Sequence, residues 1–343
     1  MRLAVERRPR ERRILPRAAG PHSAQDLAVA AREVRQQRSL VAGDDERSWR
    51  ELTSNKEMIT ETFIPQELAY SFLSASLNKN ADEARKLSNA LRYAGKLELE
   101  KAGDPFVSEL AAFYSHTSVE QQKLLHAAHV QLRNGYAECQ KANYNYATFE
   151  ESRKLFLRAG DVLEAKLCDY WIAYCLSWKS ELAKSTDLLT TLAKFAKANH
   201  YYWLEGQAIS WIANNYTEQR EYSKSLEIYH DARSIATRIN DVYNLQKILS
   251  QSGNIYMRLG QTERALQYDW RALQLIDSSS SVRQTWRNYL YTARALAALG
   301  LFEAAAQYAA AMLNLAAGDL CPAAVKPIAT IAPRDRWVGK RRR

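Results

Sequence analysis

Proline and glycine are scarce in this chain. Eight prolines and 12 glycines stand among 343 residues, and no proline falls between Pro105 and Pro322. Proline removes a helical hydrogen bond and clashes with the preceding turn, so so long a proline-free run favours helices over short strands and turns. Four cysteines, Cys139, Cys168, Cys175 and Cys321, show no CxxC spacing. Cys168 and Cys175 lie seven residues apart, on one face of a helix, and read as buried, reduced thiols. No apolar run approaches the roughly 18 residues of a membrane span. No hydrophobic signal core is visible, and Glu6, Pro9, Glu11 and Pro16 argue against a transit peptide in the arginine-rich start. The expected compartment is the cytoplasm.

Catalytic signatures are also missing. There is no glycine-rich phosphate loop, no HExxH and no GxSxG. His126 and His129 lie three apart on a helix, but no carboxylate or cysteine at ligand spacing completes a four-ligand site. They read as solvated or capping histidines. The expectation is a chain with no catalytic residues, no metal and no cofactor.

The formal charge of +10 sits in two tails. Residues 1–20 hold seven Arg and two Glu, and residues 321–343 hold five Arg, two Lys and one Asp. The body between them is close to neutral. That speaks against a broad basic face for specific nucleic-acid binding and leaves the tails free for nonspecific contact with anionic surfaces.

Four regions follow: a disordered basic arm at 1–24, an N-terminal helical region at 25–130, a helical repeat array at 131–318 and an irregular basic tail at 319–343. In the second region Pro65 can start a helix. Asn80 or Asp82 caps the next, which Gly103-Asp104-Pro105 stops, and a further helix covers Phe106 to Tyr114. Ser118 with Gln121 forms a capping-box start. From about residue 147 the text becomes periodic, and aligning it every 40 residues produces columns. Ala173, Ala213, Gly253 and Ala293 form one; Ser185, Ser225, Ala265 and Ala305 form another. Larger residues stand between: Leu176, Tyr216, Tyr256 and Leu296. A small residue on each of two antiparallel helices lets their backbones approach, and a large one fills the gap between layers. Gly260 and Gly300 fit left-handed turns inside a repeat. Asp161, Asp241 and Ser281 fit helix caps between repeats. Four units and a preceding half-unit result.

These columns resemble the tetratricopeptide repeat. Its second-helix pattern shows in Tyr222-x-x-Ser225-Leu226-x-x-Tyr229-x-x-Ala232. It returns in Gly253-x-x-Tyr256-x-x-Leu259-Gly260-x-x-x-x-Ala265-Leu266-x-Tyr268-x-x-x-Ala272. The 40-residue period resembles a longer-helix subclass. Asp169 and Asp269 depart from the pattern where apolar residues are usual, and Leu192 and Met312 where small ones are. The stretch Ala159-Gly160-Asp161-x-x-x-Ala165 also resembles the repeats that precede caspase-like (CHAT) peptidase domains in bacterial proteins.

The resemblance implies an all-α, right-handed α-solenoid of antiparallel helix pairs. It implies a protein–protein interaction scaffold whose concave groove, lined by the first helix of each unit, takes a peptide or partner domain. On those helices Tyr174, Asn214, Asn254 and Arg294 point inward. One turn earlier stand Tyr170, Ser210, Ser250 and Leu290; one turn later stand Trp178, Glu218, Arg258 and Ala298. Asn214 and Asn254 match the family's asparagines that grip a peptide backbone, since an amide offers both donor and acceptor. Arg258 and Arg294 suit a carboxylate. Tyr170, Tyr174 and Trp178 supply flat anchors. The second reading is a regulatory or sensor fragment of a larger CHAT-peptidase-type protein, with its effector domain outside these residues. The apolar stretch Ala304 to Ala317 reads as an end without a polar capping helix.

Overall fold

A computed structural model describes residues 59–276 and 282–316, together with Ser48. The expected basic arm, the turn Ser278 to Ser281, Cys321 and the basic tail lie outside the described residues, as does nearly all of 25–58. Among the described residues all regular structure is helical, and no helix is long and apolar enough to cross a membrane.

A π-helical segment, Ile59–Ala69, runs into α1 (Tyr70–Leu77). Pro65 lies inside that segment and does not start a helix. Next come α2 (Ala81–Ala102), α3 (Phe106–Tyr114), α4 (Val119–Gln140) and α5 (Ala147–Ala159). Asn80 caps α2, accepting from the Glu83 N–H, and Gly103 ends it in a left-handed conformation. Ser118 and Gln121 form the reciprocal capping box at the start of α4. Because α4 runs through residues 130 and 131, the division expected there falls inside a helix.

The remaining helices are α6 (Val162–Trp178), α7 (Leu182–Ala198), α8 (Tyr202–Glu218), α9 (Tyr222–Arg238), α10 (Val242–Arg258), α11 (Thr262–Leu273), α12 (Val282–Ala298) and α13 (Phe302–Ala316). Their starts, at 162, 182, 202, 222, 242, 262, 282 and 302, fall every 20 residues. The 40-residue period therefore has an internal half. Each connector among the described residues from α5 to α11, and the one between α12 and α13, carries a residue with positive φ: Gly160, Ser180, His200, Arg220, Asn240, Gly260 and Gly300 all occupy the left-handed region. Asp161 and Asp241 then cap the following helix, accepting from the N–H of Glu164 and Asn244.

The two small columns meet inside each hairpin. The Ser185 hydroxyl donates to the Ala173 carbonyl at 2.9 Å, and Ser225 donates to Ala213 at 2.7 Å. Serine is tolerated in the seam because its hydroxyl is satisfied by a helix carbonyl. In the third pair a Cβ on Gly253 would stand 2.3 Å from a carboxylate oxygen of Asp269. The glycine thus makes the space for a buried acid that looked like a departure in the sequence. From α4 onward each helix packs on its chain neighbours, α4 itself packs on α1, and α6, α8, α10 and α12 also touch in succession. One apolar core extends from Ile64 through Ile212 to Ile239, and smaller clusters continue it to Leu315. On α13, Phe302 and Leu313 are left exposed.

Candidate binding face

The residues expected to line a groove divide into three groups. Tyr170 is buried, and its phenol oxygen accepts from Trp211 Nε1 at 2.9 Å. Ser210 and Ser250 on the same column are buried too, and bond within their own helix and toward Asn244 and Asn288. This column forms a polar seam between successive helix pairs, because the next first helix covers it. Tyr170 is therefore a core residue and not a surface anchor.

Tyr174 and Trp178 do remain at the surface, half-buried and exposed respectively. They belong to an aromatic cluster that the sequence did not delimit. Trp178 stacks on Tyr144 at 5.2 Å with planes 5° apart, and Tyr174 meets Trp211 edge-on at 4.8 Å. Trp171 closes the base of the cluster between Phe149 and Tyr174. Tyr144, in the loop before α5, was invisible to periodicity because it lies outside the repeat.

At the other end of the helix series stand Arg258 and Arg294, both exposed. Arg294 lies over the Tyr291 ring at 6.0 Å. Burial pushes the Tyr291 phenol upward, and the nearby charges of Arg287, Arg294 and Arg258 pull the other way. The Arg294 guanidinium thus lies over the Tyr291 ring, and the charges of Arg287 and Arg258 act on the same phenol. Among the described residues no ion pair joins any of the three to a carboxylate within 4 Å. The buried Asp269 is close enough for Arg294 to oppose its upward shift, but desolvation dominates and keeps that carboxyl well above the usual range.

Between the two ends in chain order lie Asn214, half-buried, and Asn254, 8% exposed. Neither side chain makes a hydrogen bond to any described residue. Asn215, one residue on, shows the contrast. It is fully buried, donates to Ser185 and Thr186, and accepts from Ser177. Two adjacent asparagines have opposite roles, one closing the interior and one held out from it.

Two features lie elsewhere. A cleft of about 580 Å³ opens between α7, α8 and α9, with Lys194, Lys197, Glu205, Ile209 and Asp231 on its walls. The second is a buried polar cluster. His129 is not solvated and caps nothing: its side chain is fully buried. Its Nε2 lies 2.7 Å from the Tyr114 hydroxyl and 3.1 Å from Glu164 Oε2, and Tyr114 donates to the same carboxylate oxygen at 2.6 Å. His126 instead stacks on Tyr70 and reaches Ser74. No group of three or more metal-ligating side chains is present among the described residues.

Burial drives His129 down to about 3, so its contact with Glu164 is a hydrogen bond and not an ion pair. Burial also raises Glu164 to about 8 and, aided by Glu164, lifts Asp161 well above the carboxylate range. Glu164 Oε1 and Asp161 Oδ2 find no donor among N–H and O–H groups, so the two acids must retain a proton to coexist. An unfolded glutamate has lost that proton near neutrality, and stability therefore falls as pH rises toward 8. His129 acts oppositely, but only below its unfolded value near 6.5. We expect a loss between pH 6.5 and 8 of at most about 2 kcal/mol per retained proton. Urea unfolding at several pH values should show that slope in the wild type and a flatter one in Glu164→Gln. An unchanged slope in the variant would remove Glu164 as its source.

No family model matches this chain, and no curated protein matches it. Among solved structures it is similar to the crystal structure of BtubC (BKLC) from P. vanneervenii, at 14% sequence identity and a TM-score of 0.45, with 74% of this chain and 92% of that one covered. A likeness of that size carries no conclusion about fold or function.

Proposed function

We propose that this chain is a non-enzymatic, cytoplasmic protein-interaction scaffold of the tetratricopeptide type. Its helix pairs coil into a right-handed solenoid, and the first helices hold an extended peptide. The observation that supports this most directly is the pair of amides, Asn214 and Asn254, that lack any partner within the described chain. A packed interior satisfies its amides, as Asn215 illustrates. Asn214 is half-buried at the helix face and Asn254 keeps 8% exposure; an unpartnered amide that a peptide can reach takes a backbone C=O and N–H whatever the sequence. The exposed Arg258 and Arg294 favour acidic side chains or a terminal carboxylate at one end, and the Tyr144–Trp178 stack favours an apolar side chain at the other.

The test begins with peptides selected from a random display library on the wild-type protein. Acidic peptides with an aromatic or aliphatic residue should be enriched. Replacing Asn214 and Asn254 together by Ala should leave the helical circular dichroism spectrum intact and weaken the selected peptides about 30- to 150-fold, on the basis of about 1–1.5 kcal/mol for each of the two asparagines. Unchanged affinity would exclude this face and direct attention to the cleft between α7 and α9.

A further inference from the structure

Cys139 and Cys175 come from different helices, α4 and α6, and are 36 residues apart in sequence, yet their Sγ atoms lie 3.5 Å from each other. A disulfide needs about 2.05 Å, so closure asks for roughly 1.5 Å shared between two side chains. We propose that Cys139 and Cys175 form a reversible oxidation site, closed to a disulfide by a peroxide.

The two thiols are not equivalent. Cys139 sits in the last turn of α4 and keeps 7% exposure, while Cys175 keeps none. The hydrogen bond from Cys175 stabilises a thiolate at Cys139 and lowers its proton affinity, and the same contact, with burial, raises Cys175. Cys139 is therefore the attacking sulfur and Cys175 the resolving one. Cys168 is set apart. It is fully buried, contacts Ser152 at 3.5 Å, and is held protonated by burial.

The chemistry balances with hydrogen peroxide as oxidant. The Cys139 thiolate attacks one peroxide oxygen, the O–O bond breaks, and the departing hydroxide takes a proton to leave as water. The sulfur is now a sulfenic acid. The Cys175 sulfur attacks it, the S–O bond breaks, the S–S bond forms, and a second water leaves with the Cys175 proton. Two thiols lose two electrons in all and the peroxide gains them. A dithiol reductant reverses the change.

The bond would staple α4 to α6 beside the aromatic cluster. Cys175 follows Tyr174 on α6, and Tyr144, five residues after Cys139, already stacks on Trp178. The chemistry does not depend on whether that cluster binds a peptide.

The experiment uses the full chain, reduced, freed of reductant and treated with graded hydrogen peroxide at neutral pH. After alkylation in denaturant, non-reducing peptide mapping should show Cys139 joined to Cys175 as the main product. Alkylatable thiols should fall from four to two, and dithiothreitol should restore them. The thermal midpoint of the oxidised chain should rise by about 5–10 °C, because the link restricts the unfolded chain. Cys168→Ser should keep the link; Cys175→Ser should stop at a Cys139 sulfenic acid that dimedone traps. Mapping of the wild type decides the matter even where a variant misfolds. A dominant link through Cys168 or Cys321, over-oxidation of Cys139 without a link, or four unreacted thiols would each overturn the proposal.

Discussion

Replacing Asp104 by Ala is expected to cost about 3–5 kcal/mol of stability. Its carboxylate is 2% exposed and serves two helices at once. Oδ1 accepts from the Phe106 N–H at 3.0 Å, at the start of α3, and Oδ2 accepts from the Trp203 N–H at 2.7 Å, at the start of α8. Trp203 is 99 residues away in sequence and 1% exposed. The residue before α8, Tyr201, contributes no side-chain cap, so Asp104 performs that service from a distance. Alanine would leave two buried N–H groups without an acceptor, each costing about 1.5–3 kcal/mol when the lost partner is charged. The surrounding contacts would not compensate. Phe106 packs edge-on against Tyr201, whose hydroxyl donates to Glu109, and both depend on the same approach of α3 to α8. Urea unfolding monitored by circular dichroism gives the test, with Asp104→Asn, which keeps one acceptor oxygen, expected to lose about half as much. Equal stability of Asp104→Ala and wild type would show that the long-range cap contributes nothing.

That contact marks the limit of what the sequence disclosed. Gly103-Asp104-Pro105 was legible as a helix stop, since glycine in a left-handed turn and proline after it are local signals. The second acceptor role was not, because Trp203 lies 99 residues away, inside the repeat array. The same division holds for the array. Small residues at Ala173, Ser185, Ala213 and Ser225 announced the helix pairs, because close approach leaves a mark at each crossing. The left-handed turns at Ser180, His200, Arg220 and Asn240 left none, since their side chains point to water and any residue able to bear the strain serves. Only Gly160, Gly260 and Gly300 betray the 20-residue beat.

For the binding face, legibility followed rotation around one helix. Tyr170 and Tyr174 are one turn apart, a difference of about 40° in direction. On a helix flanked by its own partner and by the next first helix, that is enough to separate a core residue from a surface one. Tyr170 turned toward Trp211, while Asn214, on the Tyr174 column, stays half-buried; Asn254, on the same column, is buried at 8% exposure. The sequence reads His129 as solvated or capping, and misses its burial, for a different reason. Its partners Tyr114 and Glu164 lie 15 residues before it and 35 after, and no spacing rule joins them.

Gly95→Ala should cost about 3 kcal/mol or more. A Cβ at Gly95 would stand 2.6 Å from Ser108 Cα and 2.7 Å from Ser108 N. Both are backbone atoms, so no rotamer change relieves the clash; α2 and α3 would have to move apart. They share a core layer that includes Leu91, Ala94, Leu110 and Ala111, all nearly free of solvent contact, and separation would open space there. Ala has the better helix propensity by about 1 kcal/mol, which offsets only part of the cost. Gly206 supplies the control. Its Cβ would meet the Ile235 Cγ2 methyl at 3.3 Å, a side-chain atom able to shift, so Gly206→Ala should change stability by less than about 1 kcal/mol. The two variants differ from wild type by the same methyl in the same kind of helix. If denaturant midpoints for both fall together, packing between α2 and α3 is looser than the structure places it, and the cost belongs to glycine replacement in general. If only Gly95→Ala falls, the backbone contact between these helices is what the missing side chain permits, and it fixes where α3, with Asp104 at its head, meets α8.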